Sequence, residues 1–221
     1  MEEVDTLARA AQAALALKHA AREQALPKSR AAIRFCANAV RAIHRGEFAS
    51  ATGLLAEARS LLDAMRQDLS DHLDIYYAGF VADAQKEYAE AAATAAIIQG
   101  HALPIPDDLG VDWGPYLNGL GEAIGELRRH LLNELRRGEI ASCEAILSAM
   151  DDLFALITSL DFPDAITNNL RRTADVARGI IEKTRGDLTV AAVQARMSAQ
   201  IAQLSAQLAE HHVDVAPGSS S

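Results

Sequence analysis

RGEFASATGLL (residues 45–55) and RGEIASCEAIL (137–147) share Arg, Gly, Glu, an apolar residue, Ala and Ser in register. In each, glycine follows a helical pattern and glutamate opens the next one. Glycine takes the left-handed conformation that closes a helix, and an acid suits the positive end of the helix dipole. One helix–corner–helix unit used twice predicts an antiparallel helical bundle.

The composition agrees. Half of the 221 residues are hydrophobic but only 5% are aromatic, and alanine and leucine supply most of the apolar content. Sheets draw on β-branched and aromatic residues, whereas alanine and leucine favour helix. The length suits one domain that buries a full core without disulfides or metals. Cys36 and Cys143 match no ligand spacing and read as reduced, buried thiols of a cytoplasmic protein. MEEVDTLARA (1–10) lacks the apolar run of a secretory signal, and no run of eighteen apolar residues is present to span a membrane.

Proline and glycine divide the chain into seven to eight helices: Val4–Leu26, Ser29–Arg45, Phe48–Leu69, His72–Gln99, Tyr116–Arg137, Ala141–Leu160, Asp164–Thr184 and Leu188–His211. HALPIPDDLGVDWGP (101–115) is the long irregular segment. The helical domain takes in residues 1–211, and 212–221 read as a disordered tail. Asp175, Arg178, Glu182 and Arg185 alternate in sign at helical spacing, as a salt-bridge ladder does.

Two patterns bear on chemistry. KEYAEAAATAAII (86–98) carries Glu87 and Glu90 at its head, and Asp83 precedes them, so three carboxylates share a helix face. YLNGLGEAIGELRRH (116–130) sets Glu122 and Glu126 four apart among Gly119, Gly121 and Gly125. Each glycine costs a helix roughly 1 kcal/mol relative to alanine, so close approach of a backbone or substrate is expected there. If these helices are neighbours, their acids converge, and a divalent cation is the common cure for the repulsion. The alternative is ordinary ion pairing, Glu87 with Lys86 and Glu126 with Arg129 or His130. The E-x-x-H pairs of a di-iron bundle are absent.

KSRAAIRFCANAVRAIHRGEF (28–48) places Arg30, Arg34, Arg41 and Arg45 apart from its apolar stripe, with no acid before Glu47. Such a stripe can track a nucleic-acid backbone; equally it can be a solvated face. The formal charge of −9 argues against nucleic acid unless the basic groups cluster on one surface.

The order KSRAAIRFCANAVRAIHRGEF, QKEYAEAAA, YLNGLGEAIGELRR, RRGEIASCEAIL and LRRTADVARGIIEKTRGDL resembles the translin superfamily, closest to its translin-associated factor X branch, from about Lys28 to Leu188. The resemblance implies an all-α fold assembling into a hollow, roughly octameric shell that binds single-stranded RNA or DNA. In the factor X branch, acidic residues support magnesium-dependent endoribonuclease activity, with manganese as an alternative ion. Carried over, the E-x-x-E pair falls on Glu87 and Glu90, and the acids of the Y-L-x-G segment on Glu122 and Glu126. Glu122 stands where the family has aspartate. Arg30, Arg34 and Arg41 match the basic helix by character, and Arg45 continues the same stripe. The segment that translin itself uses for nucleic acid finds IYYAGF (75–80) instead. The expectation is thus a homo-oligomeric, magnesium-dependent endoribonuclease. Its rivals are a non-catalytic single-strand-binding scaffold and a helical oligomer with protein partners.

Overall fold

In the computed structural model, which describes residues 1–213, both RGE corners close by the same hydrogen bonds. Gly46 and Gly138 are left-handed, at φ +76° and +85°. Gly46 N–H donates to Ile43 O and Glu47 N–H to Ala42 O; Gly138 and Glu139 repeat this on Leu135 O and Glu134 O. These Schellman turns satisfy carbonyls the helix ends leave open. They reverse the chain between α1 (Glu2–His44) and α2 (Phe48–Asp68), and between α6 (Trp113–Arg137) and α7 (Ile140–Thr158).

The remaining elements are α3 (Leu73–Tyr76), α4 (Gly79–Ile98), α5 (Pro106–Leu109), α8 (Asp164–Thr167) and α9 (Leu170–Val213), with no strand among the described residues. The expected all-α bundle is what forms. Its centre is α4, flanked by α1 and α2 on one side and α6 on the other, while α7 and α9 pack on α6. This sandwiched position explains the uncharged tail of residues 91–98. Ala89, Ala91, Ala93, Ala95 and Ala96 are buried on several faces of α4, and small side chains let its neighbours come close.

Three helix boundaries differ from the sequence expectation. Pro27 does not end the first helix: α1 runs through it. The loss of one N–H is outweighed by a small-residue stripe, Ala21, Ala25, Ser29, Ala32, Cys36 and Ala39, buried on both sides of the proline. Ser29 Oγ also donates to Phe80 O at 2.7 Å, tying α1 to the start of α4. Second, His72–Gln99 is broken at Ala78, extended at ψ 146°, just before Gly79. Third, α9 continues through Gly186, because Leu170, Ala174, Ala177, Ile181, Thr184 and Leu188 keep one buried stripe in register across it. Arg128 bridges the glycine, bonding Thr184 Oγ1 at 2.8 Å and Asp187 Oδ2 at 2.7 Å. The break falls instead at Asn168 and Asn169, both left-handed at φ 52° and 63°.

The expected ladder on α9 is replaced by contacts to α7: Arg185 pairs with Asp151, and Arg178 lies 5.7 Å from the Phe154 ring centre. Cys36 and Cys143 are free and buried, as expected. Helix α9 extends two residues past the expected domain end at 211, and residues 214–221 of the expected tail lie outside the described residues. No helix among the described residues is long and apolar enough to cross a membrane.

Candidate metal centre

Gly119 sets the geometry. A Cβ built there would lie 2.6 Å from Lys86 O and 2.9 Å from Glu90 N, so only glycine lets α6 rest directly on the α4 backbone. One turn on from Gly119 in α6, Glu122 reaches Glu87 and Glu90. Ligand oxygens of the three carboxylates lie within 4.8 Å of one another, and all three side chains are half-buried. At Gly121 the neighbour is a side chain of α9: a Cβ there would lie 2.3 Å from Thr173 Cγ2. Gly125 has no such neighbour, with Ile180 Cδ1 at 3.9 Å.

Lys86 provides one positive charge against the three acids. Its Nζ lies 2.7 Å from Glu122 Oε1 and 3.7 Å from Glu87 Oε1. Burial works to lower the Lys86 pKa, but the hydrogen bond it donates to Glu122 and the charges of Glu122, Glu87 and Asp83 outweigh it and hold the ammonium up. Glu90 is the most stressed group. Burial, then the negative charges of Glu87, Glu122 and Glu126, push its carboxyl up to about 8. Burial likewise raises Glu87. The Cys36 thiol lies close enough to feel both acids; burial first, then their charges, push it up to about 12. A thiol held that high is inert.

Glu126 stands apart from the trio. Its Oε2 is 2.5 Å from His44 Nε2 and 3.6 Å from Arg129 Nη1. The bond from His44 holds the Glu126 pKa below the usual carboxylate range, against the opposing effect of burial. Both contacts fall on Oε2, so Oε1 is left clear. His44 is 5% exposed, and its Nδ1 is buried without a partner.

Of the four acids expected from sequence, the structure clusters Glu87, Glu90 and Glu122 and gives Glu126 a separate basic partner. The basic stripe is not part of this site. Arg30 and Arg34 lie exposed on α1. Arg41 donates to Asn38 Oδ1 at 2.6 Å, and Arg45 folds onto Glu47 at 2.7 Å. Asp83, which shares the helix face of Glu87 and Glu90, lines the same cavity as Glu90 and Glu122 and helps raise Glu87. His44 escapes sequence reading altogether, because its partner lies 82 residues away and no local spacing joins them.

The donor set suits a hard divalent cation. Three carboxylates with one ammonium leave excess negative charge in a partly desolvated place, and such clusters take magnesium, manganese or calcium in preference to softer ions. The crowding also has a measurable consequence. In the folded, metal-free chain Glu90 keeps its proton to about pH 8, against 4.5 for an unperturbed carboxyl. The native state therefore binds more protons than the unfolded chain between those values. The stability this group contributes is full below 4.5 and lost as the pH rises through 8. In EDTA, the thermal midpoint of the wild type is expected to fall across this window relative to Glu90→Gln. Parallel curves for the two would contradict a crowded, buried Glu90.

No family model matches the chain. An uncharacterized protein of Methanocaldococcus jannaschii is 31% identical over 179 residues, covering 79% of this chain and 78% of that protein. Among solved structures, AfC3PO aligns with 33% identity and a TM-score of 0.77, covering 84% of this chain and 97% of its own. The chain belongs to the translin superfamily. AfC3PO has also been solved in complex with duplex RNA, and that chain matches at 32% identity and TM-score 0.77, over 84% of this chain and 96% of its own. Apo-NeC3PO shares the fold at 22% identity, TM-score 0.73, over 86% of this chain and 98% of its own. Within this translin-superfamily chain, the acidic trio sits where α4 and α6 meet at Gly119.

Proposed function

We propose that this chain is the subunit of a homo-oligomeric, magnesium-dependent endoribonuclease that cuts single-stranded RNA inside a shell, an octamer in its simplest form. The observation that carries the reading is the convergence of Glu87, Glu90 and Glu122 within 4.8 Å around one lysine. A scaffold that only binds RNA has no use for clustered acids, which cost stability and repel phosphate.

Glu87, Glu90 and Glu122 would hold the ion, with manganese as a substitute for magnesium. When bound, it supplies Lewis-acid polarisation of a phosphoryl oxygen and an acidified water. The protein's own part is to bring the oxygens together. Glu90 gives up the proton it holds near neutrality, Lys86 keeps the empty cluster from flying apart, and His44 fixes Glu126 with Oε1 clear to complete the set. Glu122 keeps the charge of the family's aspartate and reaches Glu87 and Glu90 across the α4–α6 contact.

Self-association fits the exposed apolar faces at both ends of the chain. Val4, Leu7, Leu15 and Leu17 on α1, and Val190, Val193, Met197, Ile201 and Leu204 on α9, are large, exposed and helically spaced. Arg30, Arg34, Arg41 and Arg45 would then serve as phosphate contacts on the RNA-facing surface.

The competing reading, a non-catalytic RNA-binding scaffold, is favoured by the pairing of Glu122 with Lys86 and of Glu126 with His44, which neutralises half of the acids without an ion. The experiment incubates a labelled single-stranded RNA with the protein in magnesium and in EDTA. Because AfC3PO is known with duplex RNA, a duplex of the same sequence runs beside it. Cleavage of the single strand in magnesium alone is expected. RNA bound but intact in every lane supports the scaffold, and no retention even at low salt removes RNA as the partner.

A further inference from the structure

The cavity that reaches the carboxylates has a second wall for which the chemistry above has no use. It encloses about 720 Å³ and runs from Glu90 and Glu122 past Asn118 to the corner between α8 and α9. A neighbouring cavity of about 510 Å³ shares Asp83, Asn168 and Asn169 with it and extends to Tyr76 and Tyr77. Both volumes fall in the range of small-molecule sites.

The corner is rigid underneath and open on top. Buried Asn118 donates to Gly114 O at 2.9 Å and Thr167 O at 2.7 Å, and accepts from Thr173 Oγ1 at 2.6 Å. That one side chain ties α6 to α8 and α9 with its hydrogen-bonding capacity used. The groups above it are unspent. Asn168 and Asn169 are exposed, and their side-chain amides have no hydrogen-bond partner among the described residues. Arg172 lines the same cavity as Asp83, Glu90 and Glu122, yet its guanidinium pairs with none of them. Its neighbour Arg171 turns away to Asp161 at 2.9 Å.

These groups have a common ligand chemistry. A free guanidinium presents a planar fork of donors that matches a phosphate. A side-chain amide offers a donor beside an acceptor, the pattern of a nucleobase edge. Both stand at one end of a cavity whose other end is the acidic trio.

We infer that the α8–α9 corner is a nucleotide subsite of the cleavage site. Arg172 takes a phosphodiester next to the one that is cut, and Asn168 and Asn169 take the edge of the adjoining base. This rests on the reading of the site as acting on RNA. It goes further in saying which wall holds the strand and that this wall feels the base as well as the backbone.

The test measures fluorescence anisotropy of a labelled single-stranded RNA in EDTA over a range of salt concentrations, so that cleavage plays no part. Arg172→Ala is expected to weaken binding several-fold and to make the log–log salt dependence shallower by about 0.7, the value for one phosphate of a single strand. Its manganese binding and thermal midpoint stay as in the wild type. The second variant is Asn168→Gly with Asn169→Gly, which keeps the left-handed backbone and removes only the amides. It is expected to bind a normal strand no better than an abasic strand of equal length, whereas the wild type prefers the normal strand. Arg172→Ala with unchanged affinity and slope, on a wild type that does bind RNA, overturns the subsite and leaves the RNA reading standing. A double glycine variant that still prefers bases overturns the assignment of the asparagines. A wild type that retains no RNA at low salt overturns both.

Discussion

Glu90→Gln is expected to reduce RNA cleavage by at least about a hundredfold while making the metal-free protein more stable. The loss follows from the role of the carboxylate. An ion stabilises transition-state charge by several kcal/mol, and each 1.4 kcal/mol is about a factor of ten in rate. An amide contributes an oxygen of similar shape but no charge. The gain follows from the same crowding. Burial and three neighbouring carboxylates press on Glu90, and a neutral side chain of the same volume is free of that repulsion. Opposite signs for activity and stability distinguish a ligand from a structural residue, because a residue that only holds the fold loses both together. RNA binding and assembly state are expected to stay as in the wild type; their loss would make Glu90 structural.

Gly119→Ala is expected to lower both stability and cleavage. The added methyl would lie 2.6 Å from Lys86 O, 2.8 Å from Ala89 Cβ and 2.9 Å from Glu90 N. Two of these are backbone atoms of a buried helix and cannot swing aside, so α6 must lift off α4. Overpacking of this kind costs about 1–3 kcal/mol, more than the roughly 1 kcal/mol alanine gains over glycine in a helix. A chain of this length shifts its thermal midpoint by about 2–4 °C per kcal/mol. The larger effect is on the site: moving Glu122 away from Glu87 and Glu90 by about 1 Å is enough for a loss on the order of a hundredfold. Gly125→Ala is the control, since its methyl meets only Ile180 Cδ1 at 3.9 Å. It is expected to stabilise the helix and leave cleavage intact. Equal behaviour of the two variants would show that the Gly119 contact does not position the acids.

How far the sequence reveals these features depends on whether the signal is local. The corners at Gly46 and Gly138 are legible because a left-handed residue, its glycine and the following acid are neighbours in the chain. Pro27 and Gly186 mislead for the opposite reason. Each weakens its helix locally, and each is overridden by a buried stripe that continues on both sides, from Ala25 to Ser29 and from Thr184 to Leu188. The convergence of Glu87, Glu90 and Glu122 follows from helical spacing and from Gly119, given that α4 and α6 are neighbours, whereas Gly121 faces α9 and Gly125 marks no close approach. That Glu126 turns to His44 does not follow, since the pair spans 82 positions and forms only once α1 and α6 have both packed on α4. Arg171 and Arg172 are adjacent in LRR (170–172), and nothing in that spacing tells them apart. Only the packing shows that Arg172 faces the acidic cavity while Arg171 faces away.

Manganese binding tests the central claim, that the acidic trio is one cation site, most directly. Wild-type protein and Glu90→Gln are titrated with Mn²⁺ above pH 8 and followed by electron paramagnetic resonance, with magnesium added as a competitor. The account predicts about one bound ion per wild-type subunit, displaced by magnesium and absent from the variant. A wild type that leaves all the manganese in solution, or a variant that binds it equally well, would contradict it.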